Sequence, residues 1–134
     1  MNPNRMGNSK ILIVEDNEIN ALVLKRLIEQ IGEPIHAIND KKAFEAMEAH
    51  TFSVVLMDIN LGGQSLDGEA IMKQLKADPR FVDLPIFAVT SYAMPGDEQR
   101  FLNAGFDAYF SKPINREKLL AGVRKALQHQ KSEA

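Results

Sequence analysis

Residues 10–15 read KILIVE, and this stretch decides the expected fold. Four consecutive apolar residues, three of them β-branched, are typical of a strand that is buried on both faces, as in a parallel sheet. A helical pattern follows at once, because Asp16 and Asn17 supply N-cap chemistry and apolar residues then recur at helical spacing. The stretch therefore predicts a strand followed by a helix.

The same alternation recurs along the chain. Strands are predicted at residues 10–15, 34–38, 53–59, 84–90 and 108–110. Helix boundaries are marked by Gly32 just after the first helix, Asp40 as a cap of the second, Gly68 at the start of the third, Gly105 at the end of the fourth and Asn115 near the start of the last.

Five such alternations with short connections predict an α/β fold. The expected architecture is a three-layer, doubly wound (βα)5 sandwich of the flavodoxin-like kind, with a parallel five-stranded sheet in the order 2-1-3-4-5. We expect one domain over residues 10–130, a flexible N-terminal tail over residues 1–9 and a C-terminal tail over residues 131–134.

Composition excludes several classes of function. The 134 residues carry a formal charge of −2 and no cysteine. The lack of cysteine excludes disulfides, thiolate metal sites and a cysteine nucleophile, and it fits the cytoplasm, where we expect the protein. The charge gives no field that attracts nucleic acid, and the apolar runs are far shorter than the ~20 residues of a membrane span. We expect neither nucleic acid nor membrane as a partner.

Chemically useful side chains stand where predicted strands end. Glu15 and Asp16 end the first strand, Asp58 the third, Thr90 the fourth and Lys112 the fifth. The carboxyl ends of parallel strands form one edge of the sheet, where ligands bind. Crowded carboxylates raise one another's pKa unless a cation intervenes, and an all-oxygen ligand set suits Mg²⁺.

At these positions the chain resembles the receiver domain of two-component response regulators. The similar stretches are IVEDN, VVLMDIN, FAVTSYAMPGD and YFSKPI, which contain those strand-end residues in order. The resemblance covers about residues 10–130. The sequence of these stretches is most similar to receivers of hybrid histidine kinases and to stand-alone cell-cycle-type regulators. We expect the chain to be either a stand-alone regulator or an excised receiver.

The resemblance implies a role for each residue. Asp58 is expected to accept a phosphoryl group from the phosphohistidine of a histidine kinase or a histidine phosphotransfer protein. Mg²⁺ is expected on Glu15, Asp16, Asp58 and the backbone carbonyl of Asn60. Lys112 is expected to pair with a phosphoryl oxygen. The protein would be a signalling phosphoacceptor that catalyses only its own phosphorylation and dephosphorylation.

The resemblance also implies a switch. Thr90 is expected to move toward the phosphoryl group and Tyr109 to follow, which changes the face formed by the fourth helix, the fifth strand and the fifth helix (α4-β5-α5) for a downstream protein. Asn60 and Tyr92 are expected to tune the lifetime of the phosphoryl group. The bond before Pro113 is expected to be cis and to help aim Lys112.

The loop after Asp58 departs from the family pattern. Gly62 stands where receivers usually carry proline, and Gly68 stands ten residues after Asp58 rather than eight. The loop over residues 61–67 is therefore expected to be longer and to affect access to the site. His36, His50 and His129 lack metal-ligand spacing and are interpreted as surface or structural residues.

Three alternatives compete with a working receiver. A degenerate receiver would bind partners without phosphorylation. A phosphatase of the haloacid-dehalogenase type would need an acid two residues after its nucleophile, where this chain has Asn60. A flavodoxin-like flavin-binding module would need a first loop that accepts phosphate, whereas EDNEIN would repel phosphate unless a metal is present.

Overall fold

The computed structural model describes residues 9–59, 61, 67–91 and 94–133. The strands are β1 (Lys10–Val14), β2 (Glu33–Ala37), β3 (Val54–Asp58), β4 (Ile86–Thr90) and β5 (Ala108–Ser111). The helices are α1 (Glu18–Ile28), α2 (Asp40–Ala49), α3 (Gly68–Lys76), α4 (Asp97–Ala104) and α5 (Arg116–Glu133).

The strands form one parallel sheet in the order β2-β1-β3-β4-β5. This confirms the predicted doubly wound fold. β1 and β3 are adjacent at the centre although β2 lies between them in the chain, so the order of the strands reverses there. Val14 pairs with Met57 and Asp58 with Val89, so β1, β3 and β4 end side by side.

Both faces of the sheet are covered by helices. Leu12 and Val14 belong to a core that also contains buried residues of α2, α3 and α4. Ile11 and Ile13 point to the other face, into a core shared with α1 and α5. Because alternate residues of a strand face opposite sides, the uninterrupted apolar run in β1 fills both cores.

Side-chain caps begin α1 and α2 close to the predicted positions. Asn17 accepts a hydrogen bond from the backbone N–H of Asn20 at 2.9 Å, which begins α1 as expected. The predicted cap at Asp40 is wrong by one residue. Asn39 caps α2 by accepting from the N–H of Lys42, also at 2.9 Å, and Asp40 lies in the first turn.

Gly32 has a different role from the one predicted. α1 ends at Ile28 with Glu29 as its cap, so Gly32 is not the residue just after the helix. A Cβ at Gly32 would collide with the Ile11 side chain and lie 2.8 Å from the Ser9 carbonyl oxygen. Glycine is needed here because the turn before β2 approaches the start of β1 closely.

The predicted N-terminal tail and the predicted long loop after Asp58 fall largely outside the described residues, at residues 1–8 and 62–66. α5 continues to Glu133, beyond residue 130, where we expect the domain to end. Across the described part of the chain, the helices are too short or too polar to cross a bilayer.

Candidate functional site

Three carboxylates meet where β1 and β3 end. Glu15 and Asp16 follow β1 directly, and Asp58 is the last residue of β3. One carboxylate oxygen from each of the three residues lies within 4.8 Å of the others. Glu15 is 1% exposed and Asp58 4% exposed, whereas Asp16 faces solvent. The site is therefore an acidic cluster with two buried members and one at the surface.

Lys112 provides the positive charge of this cluster. Its Nζ lies 3.1 Å from Oε1 of Glu15 and 3.6 Å from Oδ1 of Asp58. The residue follows β5 directly, and its peptide bond to Pro113 is cis, as expected. The ammonium group therefore bridges carboxylates that come from two different strands.

The acidity of Glu15 reflects the crowding. Burial, which is the largest cause, acts together with the hydrogen bond to Asp58 and the negative charge of Asp58 to raise the pKa of Glu15 to about 7. The N–H of Asn17, which donates to Oε2 at 3.2 Å, and the charge of Lys112 lower the pKa by less. One lysine thus does not compensate fully for the burial and proximity of these carboxylates.

The cluster fits a hard divalent cation. Its donors are carboxylate oxygens, they converge from neighbouring strand ends, and the raised pKa of Glu15 reports negative charge that lacks full compensation. Mg²⁺ and Ca²⁺ prefer oxygen ligands, and Mg²⁺ commonly binds one or two carboxylates and keeps several waters. The exposed position of Asp16 leaves a path for those waters.

Thr90 lies beside the cluster and is linked to Lys112. It ends β4, is fully buried, and its carbonyl accepts a hydrogen bond from the N–H of Lys112 at 2.7 Å. Displacement of the Thr90 backbone would therefore also shift or break its hydrogen bond with the Lys112 backbone.

Tyr109 connects β5 to α4. Its ring stacks on that of Phe101 at 5.9 Å between centroids and 18° between planes. Partial burial raises the pKa of the Tyr109 hydroxyl, and the charges of Asp97 and Glu98 add to this effect. The predicted switch residue is thus in contact with the helix that it is expected to influence.

The end of the loop after Asp58 is close to the acceptor position. The N–H of Gly68 donates to the carbonyl of Ile59 at 3.3 Å, and a Cβ at Gly68 would collide with the carbonyl oxygen of Asp58. Only glycine allows α3 to begin so near that backbone. The predicted tuning residues Asn60 and Tyr92 lie outside the described residues.

An apolar surface beside the cluster was missed at the sequence level. Ile19, Leu22 and Val23 of α1 are 74%, 47% and 52% exposed. A cavity of about 300 Å³ adjoins Val23, and its lining residues are Glu15, Asn20, Val23, Leu24, Leu27, Lys112, Pro113 and Ile114. The available signal was an excess of apolar residues, since α1 contains more of them than its buried stripe requires.

A histidine next to the cluster was missed as well. Nε2 of His36, on β2, lies 2.6 Å from the carbonyl oxygen of Glu15. Its lack of metal-ligand spacing favours a surface or structural residue, and no sequence motif marks the contact with Glu15.

Comparison with known proteins identifies the family. A family model described as response regulator receiver domain matches residues 11–124. The chain belongs to the response regulator receiver domains, which confirms the resemblance drawn from the strand-end residues. Receiver domains are signalling proteins rather than classical enzymes.

Relatives and solved structures agree with this assignment. The chain is 37% identical over 118 residues to the polar-differentiation response regulator DivK of Brucella anthropi, covering 87% of this chain and 94% of that protein. The chain is also 27% identical to the receiver domain of sensor histidine kinase PA1611 from Pseudomonas aeruginosa, which was solved with magnesium in its active site cleft. The two structures superpose with a TM-score of 0.79, and the match covers 91% of this chain and 99% of that one. The receiver domain of a histidine kinase from Syntrophus aciditrophicus is also 27% identical. Its TM-score is 0.80, and the match covers 90% of this chain and 91% of that one.

Proposed function

We propose that the protein accepts a phosphoryl group on Asp58 from a phosphohistidine. An oxygen of the Asp58 carboxylate forms a bond to phosphorus, the phosphorus–nitrogen bond breaks, and the imidazole nitrogen leaves with the electron pair. The observation that carries this proposal is the arrangement around Asp58. It is a buried carboxylate at a strand end, with Glu15 and Asp16 on one side and the Lys112 ammonium 3.6 Å away.

Glu15, Asp16 and Asp58, with the backbone carbonyl of Asn60, would hold Mg²⁺. When bound, the ion supplies positive charge for the phosphoryl oxygens and aligns donor with acceptor. Lys112 serves the phosphoryl group from another side, since a flexible ammonium can leave Glu15 and pair with a phosphoryl oxygen. The short distances from Nζ to both Glu15 and Asp58 support this role.

The phosphodonor is a histidine kinase or a histidine phosphotransfer protein, and we place its docking surface on α1. Ile19, Leu22 and Val23 form an exposed apolar surface, and Val23 lines the cavity that reaches Glu15 and Lys112. A protein that delivers a phosphohistidine to Asp58 must approach over this edge of the sheet. Burial of these side chains would favour its binding. We place both proteins in the cytoplasm.

The output of the switch is the face formed by α4, β5 and α5. The phosphoryl group carries about −1.5 to −2 charges and three acceptor oxygens beside Thr90, in place of the single negative charge of the Asp58 carboxylate. Thr90 would donate its hydroxyl hydrogen to that group, and Tyr109 would change its packing against Phe101 of α4. The stacking of Tyr109 on Phe101 supports this route to a downstream protein. Phosphorylation need only shift an existing equilibrium between two arrangements.

Intact-mass measurement after incubation with acetyl phosphate and Mg²⁺ tests the proposal. We expect one labile phosphoryl adduct per chain, formed only with Mg²⁺ and prevented by chelation. If no adduct forms with acetyl phosphate or phosphoramidate while Mg²⁺ binding is measurable, the protein is a degenerate receiver that binds partners without phosphorylation. Continuous release of phosphate from a monoester substrate would instead indicate the phosphatase alternative.

Mg²⁺ affinity should increase as the pH rises toward 7. Mg²⁺ binds the ionised carboxylate of Glu15, whose pKa is raised to about 7, so protons compete with the ion at lower pH. The apparent dissociation constant should fall by about tenfold per pH unit up to that pKa and then level off. Titration calorimetry at several pH values between about 5 and about 8 measures the profile. A flat profile would contradict the raised pKa.

A further inference from the structure

We propose that His36 is a positioning residue for the acidic cluster. Its Nε2 lies 2.6 Å from the carbonyl oxygen of Glu15. A carbonyl oxygen only accepts hydrogen bonds, so Nε2 carries the hydrogen and donates it. The contact therefore assigns the ring a definite orientation and ties it to the backbone that carries two of the three carboxylates.

The position of this bond in the sheet explains its effect. The register of β1 and β2 ends with the pair Val14–Ala37, and one residue further the N–H of Glu15 still donates to the carbonyl of Ala37 at 3.1 Å. The Glu15 carbonyl is then bound by the His36 side chain instead of a strand backbone. His36 thus continues the hydrogen bonding of the ladder past its end.

The held peptide group controls the placement of Asp16. The Glu15 carbonyl and the Asp16 N–H belong to the same planar peptide group, so fixing that carbonyl fixes the direction in which the chain enters Asp16. Asp16 is the exposed member of the cluster. A half-buried histidine on a neighbouring strand would reduce its freedom and keep its carboxylate near those of Glu15 and Asp58. Residues that orient metal ligands in this way often affect metal affinity strongly.

This inference rests on the proposed function, because it concerns binding of Mg²⁺ at the same site. It requires only the hydrogen bond from Nε2, which both the neutral ring with a proton on Nε2 and the charged ring provide. Because His36 acts on the placement of a metal ligand, its loss should raise the Mg²⁺ concentration that half-saturates the site. It should not change the rate of phosphoryl transfer to Asp58 once Mg²⁺ is bound.

Two substitutions separate the hydrogen bond from the shape of the side chain. His36→Phe keeps a planar ring without a donor. His36→Gln loses the ring but has an N–H donor the same number of bonds from Cα. His50→Phe is the matched control, since His50 is also half-buried, and its Nδ1 lies 3.1 Å from Lys10 Nζ at the other end of the sheet.

The measurement is the rate of labelling by acetyl phosphate as a function of Mg²⁺ concentration, with Mg²⁺ affinity from calorimetry. His36→Phe should raise the half-saturating Mg²⁺ concentration by about tenfold and leave the rate at saturating Mg²⁺ unchanged. His36→Gln should restore most of the affinity, and His50→Phe should behave like the natural protein. A purely structural role would reduce thermal stability without moving the half-saturating concentration.

The outcomes distinguish this inference from the function on which it rests. If the natural protein binds Mg²⁺ and His36→Phe binds it equally well, the positioning role is refuted and the proposed function stands. If His36→Gln is as weak as His36→Phe, the donated hydrogen bond is not the cause and the inference is also refuted. If the natural protein binds no Mg²⁺, both proposals fail.

Discussion

Asp58→Asn should take up no phosphoryl group, and without Mg²⁺ it should unfold at a higher temperature than the natural protein at pH values above 7. The loss of labelling follows because a carboxamide oxygen is a poor nucleophile at the position where the phosphoryl group must be accepted. The gain in stability follows because the substitution removes one of the negative charges in the cluster.

The sign of the stability change comes from Glu15. Its pKa is raised in the folded protein to about 7, so the folded state retains a proton on Glu15 where the unfolded state has lost it. Stability from this group is therefore fully present below the unfolded pKa and is lost as the pH rises through about 7. Asp58 raises the pKa through its hydrogen bond and its charge, so Asp58→Asn should reduce this loss.

The expected gain is about 1 kcal/mol above pH 7, or about 4 °C in Tm, and it should shrink toward pH 5. Thermal unfolding with a chelator present, followed across this pH range, measures it, and intact mass measures labelling. Asp107→Asn is the control of opposite sign. Asp107 accepts from Lys76 Nζ and from the N–H of Ile86, both at 2.8 Å, so its substitution should destabilise the fold and preserve labelling.

Two results would contradict this prediction. Labelling of Asp58→Asn at the natural rate would place the acceptor elsewhere. A Tm difference that does not depend on pH would mean that the crowding of Asp58 and Glu15 does not determine the stability of the cluster.

The acidic cluster could be predicted from the sequence because the fold determines where strands end. Once the apolar runs indicate a parallel sheet, Glu15, Asp58, Thr90 and Lys112 must lie at one edge, whatever the details of packing. Their order along the chain matters more than any single residue, since a carboxylate after an apolar run is common. The structure brings Asp16 to the same cluster.

The contacts that the sequence does not predict depend on the register between elements. His36 reaches the Glu15 carbonyl because His36 pairs with Ile13, two residues before Glu15, and an alternating apolar pattern does not specify that pairing. The sequence pattern also predicts Gly32 as the residue just after a helix, which is wrong. Its requirement for glycine comes from Ile11 and Ser9, which are distant in sequence.

The surface of α1 illustrates a different limit. Helical periodicity predicts which residues are buried, and Leu24 and Ile28 are buried. It does not predict what the remaining apolar residues contact, because that requires knowing which face of the helix lies next to the site. Only the structure places Val23 beside the cavity that Lys112 also lines.

Replacing Ile19 and Val23 together by asparagine should slow phosphoryl transfer from a protein donor by about tenfold or more, with labelling by acetyl phosphate unchanged. The two residues are four apart and share one face of α1, with exposures of 74% and 52%. Full burial of an apolar side chain of this size contributes about 1.5–3 kcal/mol, and the small donor does not use this surface. Transfer from autophosphorylated histidine kinases and phosphotransfer proteins, using the donor that labels the natural protein fastest, measures the effect.

Val82→Asn is the matched control, because Val82 has the same exposure as Val23, 52%, and lies between α3 and β4. It should transfer at the natural rate from both donors. The comparison separates docking from chemistry, since a damaged acceptor site would slow labelling by both donors in the double variant. If protein and small-molecule donors are slowed equally, the α1 surface acts through the fold of the site. If neither is slowed, the phosphohistidine protein docks on another face, and the exposed apolar residues of α1 require a different explanation.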